Sequence, residues 1–178
     1  MVLEVQENNM TRIKKNYSLV VRNFTFGVED SLVSTVGLLV GIAVADISRR
    51  NIIITGLVLI AVEAFSMGVG SLLSEQSVQE YEINKEVAIS KSMLAAFVMF
   101  FSYLLAGLIP LAPFFYSASH TSIIVSIVLT LFSLFLLGVF NAKMFRVRAW
   151  RDGLLTLLMG GIAIMVGIGV GQIADKIK

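Results

Sequence analysis

Five long apolar runs take up most of the chain and decide what it can fold into. They lie at about 24–45, 52–73, 93–116, 122–140 and 153–174. Each is close to the roughly 20 residues that an α-helix needs to cross about 30 Å of hydrocarbon. Because lipid offers no partner to a free backbone N–H or C=O group, each run is predicted to be helical. The predicted fold class is all-α, a polytopic membrane protein with five transmembrane helices.

The composition excludes several other classes of protein. The chain is 57% hydrophobic and 15% charged, whereas soluble domains are about 45–50% apolar and about 25% charged. The absence of Cys excludes a disulfide scaffold and a cysteine metal site. A single His, at 120, excludes a zinc site built from several histidines. The net charge of +2 gives no basic face for nucleic acid.

The distribution of Lys and Arg predicts the orientation. With a cytoplasmic N-terminus, ten of the 14 basic residues fall in cytoplasmic segments and four fall outside, as the positive-inside rule expects. Residues 1–23 then form a cytoplasmic N-terminal segment, 24–178 form the membrane domain, and 74–92 form an acidic cytoplasmic loop. Arg146, Arg148 and Arg151 are interpreted as topology signals that also meet anionic lipid.

Three acidic residues lie inside the predicted spans, Glu29 and Asp30 in the first and Glu63 in the second. An ionisable residue inside a membrane is costly and indicates a functional site. No predicted span contains Lys or Arg, so these acids must be protonated, reach water or meet a cation. The pattern favours a cation path over a structural ion pair. Glu29 points about 100° away from Asp30 and is expected nearer to water at the cytoplasmic mouth.

Met67 adds a different donor to this set. It is four residues after Glu63, so the two side chains share a helix face. Carboxylate oxygens alone suit Mg, Ca and Mn, whereas a thioether sulfur suits transition metals. The alternative is that Met67 only fills space, which is the ordinary role of methionine in an apolar core. The residues alone leave both interpretations open.

The acidic loop offers a second candidate site. Its spacing permits a helix that continues from the second span, with Glu75, Glu82 and Glu86 near one face. These glutamates are candidates for cytoplasmic metal capture, and the alternative is a solvated helix without a ligand. In the third span, Pro110 and Pro113 predict a kink or an early helix end.

Glycines recur in two of the spans. Gly37 and Gly41 form a GxxxG pattern in the first, and the fifth is crowded with Gly160, Gly161, Gly167, Gly169 and Gly171. Small residues of this kind let membrane helices pack closely. Close packing is therefore predicted, with a dimer seam as one place for it.

Three stretches resemble the vacuolar iron transporter family. RNFTFGVEDSLV at 22–33 is similar to the start of that family's first span, a basic residue followed by Gly-x-x-Asp-Gly-Leu. EAFSMGVGSLLS at 63–74 resembles its second-span Ser-Met-Gly-x-Gly. LLAGLIPLAPFF at 104–115 resembles its third-span Gly-x-x-Pro-Leu-x-Pro. The three stretches occur in the family's order, and the resemblance extends from Arg22 to the end of the chain.

The resemblance implies a function and a site. Members of the family move Fe²⁺, often Mn²⁺ too, out of the cytosol in exchange for protons, as homodimers with the ion path between the first spans. Asp30 and Met67 would then be intramembrane metal ligands. The family's second-span acid lies where this chain has Leu59, so Glu63, one turn further on, is expected to replace it. Glu29 stands where a small residue is typical.

The chain departs from the family in its cytoplasmic part. Many members carry a long glutamate-rich metal-binding domain between the second and third spans, and here only about 74–92 remains. The short loops favour a prokaryotic cell membrane, with a vacuolar membrane as the alternative. The expected partners are the transported Fe²⁺ or Mn²⁺, protons, lipid and a second copy, without a bound cofactor.

Two other classes of function compete with transport. A membrane metal sensor or scaffold on the same fold would not transport, and it would tolerate a neutral residue at Asp30. An intramembrane protease needs a Gly-x-Gly-Asp, His-Glu-x-x-His or Gly-x-Ser-x-Gly motif, and the sequence contains none of these. The sequence therefore predicts a protein that is not an enzyme.

Overall fold

The structure is a computed structural model that describes residues 2–117, 119–145 and 149–176. Five α-helices make up most of the described chain, and no strand occurs within it. The helices are α1 (Val2–Val44), α2 (Arg49–Ile83), α3 (Met93–Leu111), α4 (His120–Phe145) and α5 (Ala149–Asp175). Short 3₁₀ turns at Ile89–Lys91 and Ala112–Phe115 precede and follow α3.

Each helix holds a segment long and apolar enough to cross a membrane, so within the described residues the prediction of five spans is confirmed. The helices are longer than the predicted spans. α1 begins at Val2 rather than near 24, and α2 continues to Ile83 rather than ending near 73. Hydropathy marks the part of a helix that suits lipid, whereas the helix itself continues into water wherever its backbone hydrogen bonds are kept. Arg146 and Arg148 lie outside the described residues.

The predicted early end of the third span is confirmed. α3 stops at Leu111, one residue after Pro110, and the 3₁₀ turn that follows contains Pro113. Helix ends leave carbonyl groups without intrahelical partners. Here the Ser126 hydroxyl donates to Pro110 O at 2.7 Å, and the Arg49 guanidinium donates to Phe114 O at 3.0 Å and to Phe115 O. Helices α4 and α2 therefore secure the end of α3.

Helix α1 lies at the centre of the bundle and contacts all four other helices. Its C-terminal half contains fully buried side chains: Leu32, Thr35, Val36, Leu39 and Val40. The first span is therefore the helix around which the other four are arranged, which gives its acidic residues access to several neighbours.

The predicted close packing occurs between α1 and α5 of one chain. A Cβ added at Gly167 would lie 2.1 Å from Gly37 O, and one added at Gly171 would lie 2.2 Å from Gly41 O. The two backbones touch at these positions, where no larger residue fits without a shift. The Gly37–Gly41 motif thus serves packing within the chain.

Candidate metal path

Two polar contacts set the register between α1 and α2. Arg22 Nη2 lies 3.0 Å from Glu75 Oε2, and the Ser71 hydroxyl donates to Asn23 Oδ1. The two helices run in opposite directions, because the contact one residue further along α1 is made four residues earlier on α2. Asp30 lies seven residues after Asn23 on α1, and Glu63 lies eight residues before Ser71 on α2. Because the helical rise per residue is the same in both helices, Asp30 and Glu63 lie at about the same level along the bundle.

Asp30 and Glu63 are both half-buried and interact electrostatically with each other. Both also act on the Tyr103 hydroxyl of α3, which lies 2.7 Å from Ser34 Oγ. Tyr103 is fully buried, and the Ser31 hydroxyl holds its backbone by donating to Tyr103 O at 2.7 Å. We name Asp30, Glu63, Tyr103 and Ser34 the carboxylate layer. It lies at the middle of the membrane segment Asn16–Val44.

Glu29 is half-buried, as Asp30 is, so burial does not distinguish these neighbouring acids. The interaction of Glu29 that the structure gives is with Asp30 itself. Asp30, in contrast, interacts with Glu63 of α2, and for this reason we include Asp30 in the carboxylate layer. A position of Glu29 nearer to water stays a prediction.

Met67 lies one helical turn from Glu63, on the side toward the α2–α3 connection, and lines a cavity of about 370 Å³. The other lining residues come from α1, α2 and α3: Arg22, Asn23, Phe26, Gly70, Ser71, Ser74 and Met99. Met99 and Tyr103 are residues that sequence reasoning missed. The available signal was a polar pair in the middle of an apolar span, Ser102-Tyr103, with Met99 one turn before Tyr103.

The acidic loop differs from its predicted form. Glu75 is 4% exposed, and its carboxylate is held by Arg22 and by Gln79 Nε2 at 3.0 Å. It is thus engaged in a contact between α1 and α2. The expected common face is wrong for Glu86, because α2 ends at Ile83 and the chain turns at Asn84, with φ of 53°.

Glu82 and Glu86 are both exposed. The loop is tied back to α2 by Glu80, whose Oε1 accepts from Gln76 Nε2 and from the backbone N–H of Val87. Glu82 and Glu86 stay candidates for capturing a cation from water.

A single chain does not provide a complete cage of hard ligands. Among the described residues, no group of three or more His, Cys, Asp or Glu side chains is placed to hold a metal ion. Asp30 and Glu63 supply two carboxylates. A transition-metal ion here would complete its coordination with water, thioether sulfur or groups of a second chain.

Two comparisons with known proteins bear on this geometry. A model of the VIT family matches residues 21–88 and 78–172, which include all the candidate site residues. Vacuolar iron transporter 1 of Eucalyptus grandis is 22% identical over 213 aligned residues, covering 86% of each chain. Since this chain has 178 residues, the relative contains residues without a counterpart here.

The family match covers well over half of the chain. The five apolar helices agree with an integral, multi-pass membrane protein. The chain therefore belongs to the VIT family, whose members are membrane transporters of metal ions rather than enzymes.

Proposed function

We propose that the protein exports Fe²⁺ and Mn²⁺ from the cytosol in exchange for protons, with its N-terminus in the cytosol. The observation that carries the proposal is the Asp30–Glu63 pair, two half-buried carboxylates that interact electrostatically and lie on the first two of the five apolar helices. None of the five predicted spans contains Lys or Arg that could pair with them. Their negative charge must be neutralised by protons or by a cation.

This pair supports proton exchange for a simple electrostatic reason. Two ionised carboxylates close together repel each other strongly in a medium of low dielectric constant. Protons relieve that repulsion when the site is empty, and a divalent cation relieves it when the site is filled. Because a metal ion binds the deprotonated groups, its arrival releases protons. Metal and protons then occupy the same carboxylates in alternation.

The ion enters from the α2–α3 end of the bundle, which the positive-inside rule assigns to the cytosol. Glu82 and Glu86 are exposed there and raise the local concentration of cations. The cavity that Met67 lines lies on this side of the carboxylate layer, because Met67 is one helical turn beyond Glu63 on α2. The ion leaves on the other side, which is the cell exterior or an organelle lumen.

A second copy of the chain completes the path. The carboxylates are only half-buried in one chain, and a half-exposed acid facing lipid is costly. Beyond Ser34 an open apolar groove of about 530 Å³ runs between α1 and α5. We infer a homodimer that meets along α1, covers this surface and supplies two copies each of Asp30, Glu63 and Met67 around one path.

The proposal is tested by metal flux into proteoliposomes. Asp30→Asn keeps the shape of the side chain and removes its charge, and we expect it to lower Fe²⁺ and Mn²⁺ flux at least about tenfold. Asp46→Asn is the matched control, since Asp46 is exposed in the turn between α1 and α2, and it is expected to transport normally. Normal flux through Asp30→Asn would refute the role of the carboxylate layer. A folded wild-type protein without flux would favour a sensor or scaffold.

A further inference from the structure

We propose that the Arg22–Glu75 ion pair sets the charge at the entrance of the ion path, with Glu75 cancelling the positive charge of Arg22. The inference rests on the proposed transport function and adds a pair of residues to it. Neither residue is expected to bind the metal ion, because a charge acts on an approaching ion through its electric field. Arg22 faces the entering ion, and Glu75 acts through Arg22.

Arg22 stands on the face of α1 that leads to Asp30. Arg22, Phe26 and Asp30 are spaced four residues apart, so their side chains are neighbours along one face of the helix. The eight residues from Arg22 to Asp30 correspond to about 12 Å along the helix axis. Arg22 and Phe26 both line the cavity of about 370 Å³ on the entry side of the carboxylate layer. An ion that moves along this face therefore passes Arg22 before it reaches Asp30.

Arg22 without a partner would oppose a cation at this point. Arginine stays protonated in proteins, and the Arg22 side chain is 63% exposed. The other residues of the described cavity lining are uncharged, so Arg22 determines the electric field inside the cavity. Like charges repel each other more strongly there than in bulk water, because the surrounding protein lowers the effective dielectric constant. In the proposed homodimer, a second Arg22 would lie beside the same path.

Glu75 supplies the compensating charge at contact distance. Its Oε2 lies 3.0 Å from Arg22 Nη2, and its side chain is 5% exposed, so salt screens this carboxylate much less than an exposed one. Its Oε1 accepts from Gln79 Nε2 at 3.0 Å. Since Gln79 is neutral, it fixes the orientation of the carboxylate without changing its charge. The net charge of the ion pair at the entrance is therefore zero.

A purely mechanical role does not explain why this contact is charged. The Ser71 hydroxyl donates to Asn23 Oδ1, and this neutral contact joins the same two helices next to the ion pair. A contact that only fixes α1 against α2 can thus be made without charges. The ion pair adds a property that the neutral contact lacks, which is control of the charge that an entering cation meets.

The rate at which Mn²⁺ associates with the purified full-length protein tests this role, measured by stopped-flow mixing at low ionic strength. We expect Glu75→Gln to slow association about threefold, because the charge of Arg22 then has no opposite charge beside it. Raising the salt concentration to about 1 M should abolish the difference, since the Debye length falls to about 3 Å. An unchanged rate in Glu75→Gln at low ionic strength would overturn the proposal.

Variants that alter the charges in other ways separate the electric field from the contact itself. Arg22→Gln/Glu75→Gln removes both charges together with the ion pair, and we expect it to associate at the wild-type rate. Glu75→Asp keeps the negative charge and should be slowed less than Glu75→Gln. Asp46→Asn is the matched control, because it removes an exposed negative charge at the opposite end of α1, and it should associate as the wild type does. A double variant as slow as Glu75→Gln would refute the proposal, because the lost contact would then limit association.

These variants are expected to fold, since Glu75→Gln leaves an arginine that water can solvate and the double variant leaves no buried charge. Flux in proteoliposomes provides a second readout, in which Glu75→Gln should raise the KM for Mn²⁺ and leave kcat unchanged, because entry precedes the carboxylate layer. A lowered kcat with an unchanged KM would contradict a role in entry. Absent flux in the wild type would refute the transport function alone, because the rate of Mn²⁺ association still decides the role of the ion pair.

Discussion

At the scale of single residues, the two side chains of the Arg22–Glu75 ion pair differ in burial. The Arg22 side chain is 63% exposed and the Glu75 side chain is 5% exposed. Removing Arg22 leaves a buried carboxylate with Gln79 as its remaining partner, and an unsatisfied buried group costs about 1–3 kcal/mol. Removing the charge of Glu75 leaves an arginine that water can solvate, at a cost below about 1 kcal/mol.

Thermal unfolding in detergent measures this difference. We expect Arg22→Gln to lower the melting temperature clearly more than Glu75→Gln does. Equal losses in the two variants would contradict the view that burial of the carboxylate determines the cost.

Some of the site residues can be recognised in the sequence and others cannot. Asp30 and Glu63 stand out because an acid contrasts with an apolar span. Met99 and Tyr103 do not, since methionine and tyrosine are ordinary in membrane helices. Only packing places Tyr103 near the acids and Met99 beside the cavity that Met67 lines. The sequence places Glu75 with Glu82 and Glu86 as a candidate for metal capture, because its partner, Arg22, lies 53 residues away along the chain.

At the scale of helices, the contact between α1 and α5 depends on glycine at particular positions. A Cβ at Gly167 would lie 2.1 Å from Gly37 O, whereas one at Gly169 meets nothing within 4 Å. Gly167→Ala must move two backbones apart, and overpacking of this kind costs about 1–3 kcal/mol. Gly169→Ala on the same helix is neutral or stabilising by about 0.5–1 kcal/mol, because alanine favours helix.

The two alanine variants are compared by their melting temperatures in the same detergent. The expected order places Gly167→Ala below the wild type and Gly169→Ala at or above it. If both variants melted alike, the close contact between α1 and α5 would not be a determinant of stability.

Helix limits were less predictable than helix number. Lipid requires each apolar run to be helical, which explains why five spans follow from hydropathy. Nothing in hydropathy sets where α2 ends, and the end at Ile83 coincides with Asn84 in the left-handed conformation. Asparagine adopts that conformation more readily than most residues, so Asn84 is the local signal for the end of α2.

At the scale of the whole molecule, the proposed dimer makes a prediction about α1. The chain has no Cys, so a single introduced cysteine reports one position. Leu38 lines the open groove beside α1, and a two-fold interface brings equivalent positions of two copies together. We expect Leu38→Cys to form a disulfide-linked dimer in membranes under mild oxidation, detected as a band of doubled mass.

Phe132→Cys is the control, since Phe132 is 59% exposed on α4 and lies outside the proposed interface. It should remain monomeric in the same gel. If Phe132→Cys formed the crosslink and Leu38→Cys did not, the interface would lie at α4. That result would contradict an ion path between two copies of α1.

The arrangement of the five helices was beyond sequence reasoning. Lipid is as apolar as the helices, so hydrophobicity does not choose which helices pack together. Small residues and polar contacts make that choice here, through Gly37 against Gly167 and Asn23 against Ser71. Such pairs become recognisable only once both helices are placed.

The coupling of metal and proton movement tests the central claim most directly. Wild-type protein in sealed vesicles with an acidic interior is given external Fe²⁺, and metal uptake and internal pH are recorded together. We predict that Fe²⁺ enters while the interior becomes alkaline, and that both changes slow when an ionophore removes the proton gradient. Fe²⁺ uptake without proton movement, and at the same rate with or without the gradient, would contradict exchange at Asp30 and Glu63.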